Sequence, residues 1–325
     1  MQDAIVLNKK LKVARLSIVS NTCLTAGKLA VGLSMGSIGV ISEAIHSGLD
    51  LVASVIAFAA VRQSGKPADA DHHYGHGKFE NLASIAEAML ILAAAIGILY
   101  HSIPRIFRGG GEIESLGWGA AVMVVSATVN FVISRKLMQV GKETDSPALV
   151  ADGWHLRTDV YTSLGVLVGL AGIYLTGYTV LDPIVATLVA VLIFRASFDL
   201  IRESMGVMLD VRLPSEEEEV IKGVLQGHSD QFLEYHGLRT RKSGPYRYVD
   251  LHLVVPRHLP VGAAHELCDR IESEIEAALP RVQVLIHCEP CEAAVEPLEA
   301  SCTLSSCSTA NCPATSCHQD ESCPK

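Results

Sequence analysis

Apolar residues gather into long runs before about residue 203 and into short periodic groups after it. Six runs, at roughly 13–34, 38–62, 80–103, 115–137, 155–177 and 180–202, can each span a bilayer core, which takes about 20 helical residues. They predict six transmembrane helices, and an even number returns the chain to its starting side. From about residue 209 the period changes. A helical repeat at 215–227, an alternating strand at Tyr246–Val255, a helix at 261–279 and a strand at Val282–His287 follow, with a short strand near Leu238–Arg241. The order αββαβ predicts a small open-faced sandwich. Beyond about 296, Ser, Thr, Pro and Cys mix without apolar period, which predicts disorder. The expected architecture is a membrane all-α six-helix bundle (1–208), a cytoplasmic α+β domain of ferredoxin-like or metallochaperone-like form (209–295) and a Cys-rich tail (296–325).

Composition agrees with a membrane domain and sharpens its partners. Of 325 residues 49% are hydrophobic and 19% charged, and the mean hydropathy is +0.33, too apolar for an ordinary soluble protein of this length. The net charge of -9 sits largely in the second region, with the run Glu216–Glu219, and argues against nucleic acid or an anionic lipid surface as partner. Acidic residues suit cations better. Lys9, Lys10, Lys12 and Arg15 precede the first span, Arg62, Lys66 and Lys78 separate the second from the third, and Arg135, Lys136 and Lys142 the fourth from the fifth. By the positive-inside rule both termini are expected in the cytoplasm. Arg105, Arg108, Glu112 and Glu114 are the charged exceptions on the opposite side. The polar segment Met1–Lys12 runs straight into the first span, so no cleavable signal peptide is expected. Of nine cysteines only Cys23 lies among the spans. A reducing cytoplasm would keep the tail cysteines as thiols.

Two of the spans carry charge in a repeated pattern. The second reads Glu43-x-x-His46-x-x-x-Asp50-x-x-x-Ser54, and the fifth Asp152-x-x-His155-x-x-x-Asp159-x-x-x-Ser163. Four-residue spacing stacks each His above its Asp on one helix face. The second and fifth of six spans are corresponding members of two three-helix halves, the arrangement in which repeats build a central transport site. Ionised side chains at membrane depth cost several kcal/mol unless paired or coordinated. Two imidazoles and two carboxylates make a tetrahedral set that suits Zn(II) or a similar borderline ion better than Mg(II) or Ca(II). The competing reading is a pair of buried His–Asp hydrogen bonds that stabilise the bundle. Asn21 and Lys28 in the first span, Glu87 in the third and Asn130 in the fourth are further polar intrusions, read as interhelical partners or as the lining of a wet cavity.

At these residues, and at the loop Pro67-Ala-Asp69-Ala-Asp-His72-His-Tyr-Gly-His76-Gly-Lys78-Phe-Glu80, the chain closely resembles the cation diffusion facilitator family, of the ferrous-iron/zinc efflux type, from about residue 10 to 292. The resemblance implies a homodimeric metal/proton antiporter with His46, Asp50, His155 and Asp159 as its transport site. In that family a His at the first position goes with zinc selectivity. It also implies a peripheral metal site at Asp69, His72 and His76, where three ligands leave an open position. A solvated polar turn is the alternative for that loop. Lys78 matches the family lysine that pairs with an aspartate beyond the last span, here Asp210, to interlock protomers. In the cytoplasmic domain His236, His252, His265, His287 and Glu289 match the family's binuclear site near the dimer interface. The family usually has Asp at the position of Glu289, which leaves the bridging geometry open.

Cys302, Cys307, Cys312 and Cys317 recur every fifth residue, with Cys323 beyond, a departure from the family and from zinc-finger spacing. They read either as a flexible thiolate sponge for soft metals or as incidental thiols of a disordered tail. The expected function is therefore Zn(II)/proton antiport out of the cytoplasm, in a bacterial inner membrane, with Cd(II), Co(II) or Fe(II) as rival cargoes. A metal-dependent hydrolase is disfavoured because the chain has no H-E-x-x-H motif and four ligands leave no position for water. A non-transporting metal sensor or scaffold is the other rival.

Overall fold

The computed structural model describes residues 2–35, 38–107 and 117–291. The Cys-rich tail and the expectations attached to it lie outside that set. Six long helices come first: α1 (Gln2–Met35), α2 (Ile38–Ser64), α3 (Lys78–Phe107), α4 (Gly117–Glu143), α5 (Pro147–Thr176) and α6 (Leu181–Met208). They are followed by α7 (Ser215–Gly227), β1 (Glu234–Ser243), β2 (Tyr246–Val255), α8 (Val261–Ala278) and β3 (Val282–Pro290). The described residues form two compact units, one running to Leu209 with the turn Ser243–Pro245, the other Asp210–Lys242 with Tyr246–Cys291.

In the first unit, five helices among the described residues are long and apolar enough to cross a membrane: α1, α2, α3, α5 and α6. The segment expected as the fourth span forms α4. Large apolar side chains such as Val52, Val55, Leu82, Met89, Val191 and Leu192 stand exposed on these helices, as a lipid-facing surface requires. Helices α5 and α6 approach closely through small residues. A Cβ at Gly165 would sit 3.0 Å from Val189 Cγ2, and one at Gly169 would sit 3.0 Å from Asp182 Oδ1. Without a hydrophobic drive between helices in lipid, such close backbone packing supplies much of the association.

Two helices begin well before the apolar run that predicted them. Helix α1 starts at Gln2, because Met1–Lys12 contains neither Gly nor Pro and its lysines find partners. Lys9 pairs with Glu143, and Lys10, itself buried, lies 3.0 Å from the fully buried Glu80. Helix α5 starts at Pro147, a residue pre-set for the first helical position, and ends at Gly177, which is left-handed at φ 78° and donates its N–H to Ile173 O.

The second unit has the expected element order. Its sheet runs β1-β2-β3, with β2 and β3 parallel and His252 opposite His287. Strands β1 and β2 are longer neighbours joined through Gly244 and Pro245, and so short a connection joins antiparallel strands. Val249, Leu251, Leu253 and Val255 alternate into a core shared with Ile221 and Leu225 of α7 and Leu267, Ile271 and Ile275 of α8. The residues between them, His252 among them, therefore point to the face away from the helices. Arg247 ties the layers together: Nε donates to Glu217 Oε2 at 2.7 Å and Nη2 to Glu217 Oε1 at 2.6 Å, while Nη1 reaches Pro280 O at 3.1 Å.

Candidate metal centres

Helices α2 and α5 pack together within the bundle and bring the two His-x-x-x-Asp pairs face to face. His155 Nε2 lies 3.1 Å from Asp50 Oδ1, His46 Nε2 lies 3.7 Å from Asp159 Oδ1, and His46 Nε2 stands 4.0 Å from Asp50 Oδ1. Each imidazole thus faces the carboxylate of the other helix. His46, Asp50 and Asp159 present one ligand atom each within 4.8 Å of one another. His155 joins them through Asp50.

Surrounding side chains hold this cluster. Asn130 of α4 donates to Asp159 Oδ2 at 3.3 Å, and Ser54, one turn beyond Asp50, bonds the Asp50 carbonyl at 3.1 Å. Asn21 of α1 donates to Ser54 Oγ at 2.7 Å, and Lys28 donates to Ser47 Oγ at 2.8 Å. The polar intrusions Asn21, Lys28 and Asn130 are therefore interhelical partners. Glu87 is the exception. A cavity of about 530 Å³ reaches His46, His155 and Asp159 from among α2, α3, α5 and α6, and is also lined by His101, Arg105 and Asp182. His101 and Asp182 escaped the sequence reading and Arg105 entered it only as a loop charge, because polar residues near helix ends look like ordinary interfacial positions.

The loop between α2 and α3 forms a second cluster. Asp69 Oδ1 accepts the backbone N–H groups of Asp71 at 3.1 Å and His72 at 2.8 Å. Asp69 Oδ1 lies 3.3 Å from His72 Nδ1, and its Oδ2 lies 3.3 Å from His76 Nε2. The His72 N–H, foremost, holds the Asp69 carboxyl below the usual carboxylate range. His76 is buried, its Nδ1 3.2 Å from Pro67 O. A bond donated to that carbonyl leaves the Nε2 lone pair for a metal.

The third cluster occupies the open sheet face. Glu289 Oε1 lies 2.7 Å from His252 Nδ1 and 3.6 Å from His287 Nε2, and its Oε2 lies 3.4 Å from His236 Nε2. The longer Glu side chain still reaches all three imidazoles. His265 is placed elsewhere, beside Asp269 at 3.5 Å on the exposed side of α8. Lys78 Nζ donates to Met208 O at 3.5 Å, and Asp210 lies 3.8 Å from Arg241.

A helical membrane domain with polar, cation-ready clusters, followed by a small α/β cytoplasmic domain, defines a multi-pass membrane protein of cation-transporter type. Comparison with known families agrees over most of the chain: the cation efflux transmembrane domain matches residues 14–209 and the cation efflux protein cytoplasmic domain residues 213–291. The chain belongs to the cation efflux, or cation diffusion facilitator, family. It is 34% identical over 265 residues to an uncharacterized transporter of Synechocystis sp., a match covering 82% of this chain and 85% of the relative. It is 31% identical to the manganese efflux system protein MneP of Bacillus subtilis, over 86% of this chain and 95% of that protein. Against the cation-efflux pump FieF of Shewanella oneidensis the identity is 30%, over 87% and 94% of the two chains.

Proposed function

We propose that the protein exports a divalent metal, Zn(II) first, from the cytoplasm in exchange for protons, and that His46, Asp50, His155 and Asp159 form the transport site. The observation that carries this reading is the crossed arrangement of the two His–Asp pairs on α2 and α5 beside a cavity. Two nitrogens and two oxygens fit a borderline dication in tetrahedral geometry, and the cation offsets the burial of two carboxylates. Imidazole has an ordinary pKa of about 6.5, so protons arriving from the acidic side compete the metal off. In this reading α1–α6 are six spans, both termini are cytoplasmic, and the membrane is the bacterial inner membrane. Residues 1–208 carry transport, 209–295 dimerise and bind metal through His236, His252, His287 and Glu289, and 296–325 form a Cys-rich tail. Asp69, His72 and His76 serve as a cytoplasmic docking site.

A second cargo, Mn(II), is favoured by the likeness to the manganese efflux protein. Zinc and manganese flux into reconstituted vesicles, with the far side acidified, decides between them. The proposal expects zinc flux that acidification accelerates, lost in His46→Ala and Asp159→Ala. Zinc binding without flux would identify a sensor or scaffold.

A further inference from the structure

Two acidic residues of helix α3 are fully buried and meet opposite fates. Glu80 accepts from Lys10 at 3.0 Å and Ser64 at 2.6 Å, and Ser146 donates to its other oxygen. Its charge is matched. Glu87, two turns further into the bundle and equally buried, has no hydrogen-bond partner at either carboxylate oxygen. An ionised carboxylate in that position forfeits its hydration and gains nothing in return, which a membrane interior penalises heavily.

Across from Glu87 stands a second acid in a similar condition. Asp152 of α5 is fully buried, its Oδ1 accepts from Ser54 at 3.1 Å, and its Oδ2 has no partner. The residues next to the two acids, Ala88 and Ala151, pack in one cluster with Leu200, which sets this part of α3 against α5. The charged and titratable groups that α2 and α5 carry in this part of the bundle are His46 and Asp50, and His155, Arg157 and Asp159. The charged residues Arg195, Asp199, Arg202 and Glu203 of α6 are exposed. None of these cations bonds Glu87. One carboxylate without a donor and a second with a donor at a single oxygen, both in a low-dielectric interior, cannot both remain ionised, whereas one proton halves the charge and makes the remaining carboxylate tolerable.

We propose that Glu87 and Asp152 together hold one proton, forming a proton site separate from the four candidate metal ligands. Ser54 lies between the two sites, its one hydroxyl hydrogen within reach of either Asp152 Oδ1 or the Asp50 carbonyl. The proton passes from the pair to water when a dication arrives at Asp50 and is taken up again from water when the cation departs. That exchange role rests on the transport reading above, but occupancy of the pair by a proton does not.

Infrared spectroscopy of the full-length protein in lipid at neutral pH, without metal, tests occupancy directly. The C=O stretch of a protonated carboxyl group is expected in the unsubstituted protein. It should vanish in Glu87→Gln, persist in Glu87→Asp, and move in Asp152→Asn. Absence of the band from the unsubstituted protein would overturn the proposal, as would a band untouched by Glu87→Gln. A band lost in Glu87→Gln but unmoved in Asp152→Asn would overturn the pairing. The Glu87→Asp and Asp152→Asn variants keep the test readable if Glu87→Gln does not fold. Normal zinc flux without the band sinks the proton pair alone. The band without flux sinks the transport reading and leaves the pair standing.

Discussion

The membrane unit and the cytoplasmic unit gather the same ligand types, histidine and carboxylate, in opposite surroundings. In the first, Asp50 and His155 are buried within a helix bundle, and each imidazole faces a carboxylate on the other repeated helix. In the second, Glu289 meets three histidines on an open sheet face with one side exposed to solvent. Buried carboxylate charge such as that of Asp50 is costly until a cation or a proton offsets it, so exchanging the bound ion moves a large free energy, while the half-exposed His46 opens the cluster to one side. An exposed cluster is solvated either way, so it binds without being forced to exchange. The contrast supports the proposal that the first cluster transports metal and the second binds it in an accessory role.

Substitutions can break that contrast. The largest effect is expected from Asp50→Ala, which strips His155 and His46 of their shared carboxylate. Zinc affinity of the membrane cluster should fall by more than the roughly hundredfold typical of losing an outer partner, read by competition with a metal indicator. Next comes Arg247→Ala, which leaves Glu217 partly buried without its fork of donors and should destabilise the cytoplasmic unit by about 3 kcal/mol, read by hydrogen exchange. Asn130→Ala removes only a bond to Asp159, so a loss of about tenfold in zinc affinity is expected. Smallest is the expected response of Cys268. Burial pushes its thiol up to about 12, beside Cys288, so it should resist alkylation at neutral pH until the unit unfolds.

How far the sequence revealed this arrangement varied by residue. The His-x-x-x-Asp pairs were legible because the motif recurs at corresponding spans and its spacing places both groups on one helix face. The open-face histidines were legible through strand alternation at His252 and the two-residue spacing of His287 and Glu289. The early starts of α1 and α5 were not, because apolar runs mark only the lipid-embedded part of a helix. The Lys10–Glu80 pair joins residues far apart in the chain, and spacing carries no trace of it. Glu87 was visible as an intrusion, yet its lack of a partner emerges only when every neighbouring donor is placed. His265 matched the expected ligand set but sits beside Asp269, because its helix turns it to the exposed side.

In the proposed function the membrane cluster moves metal and the sheet-face cluster does not. Initial zinc flux into vesicles with an acidified far side, measured in parallel for His46→Ala, Asp50→Ala, His155→Ala, Asp159→Ala and His252→Ala, tests it most directly. Flux should be abolished in the first four and retained within a few-fold in the fifth. Undiminished flux in any of the first four, or flux abolished only in His252→Ala, would contradict it.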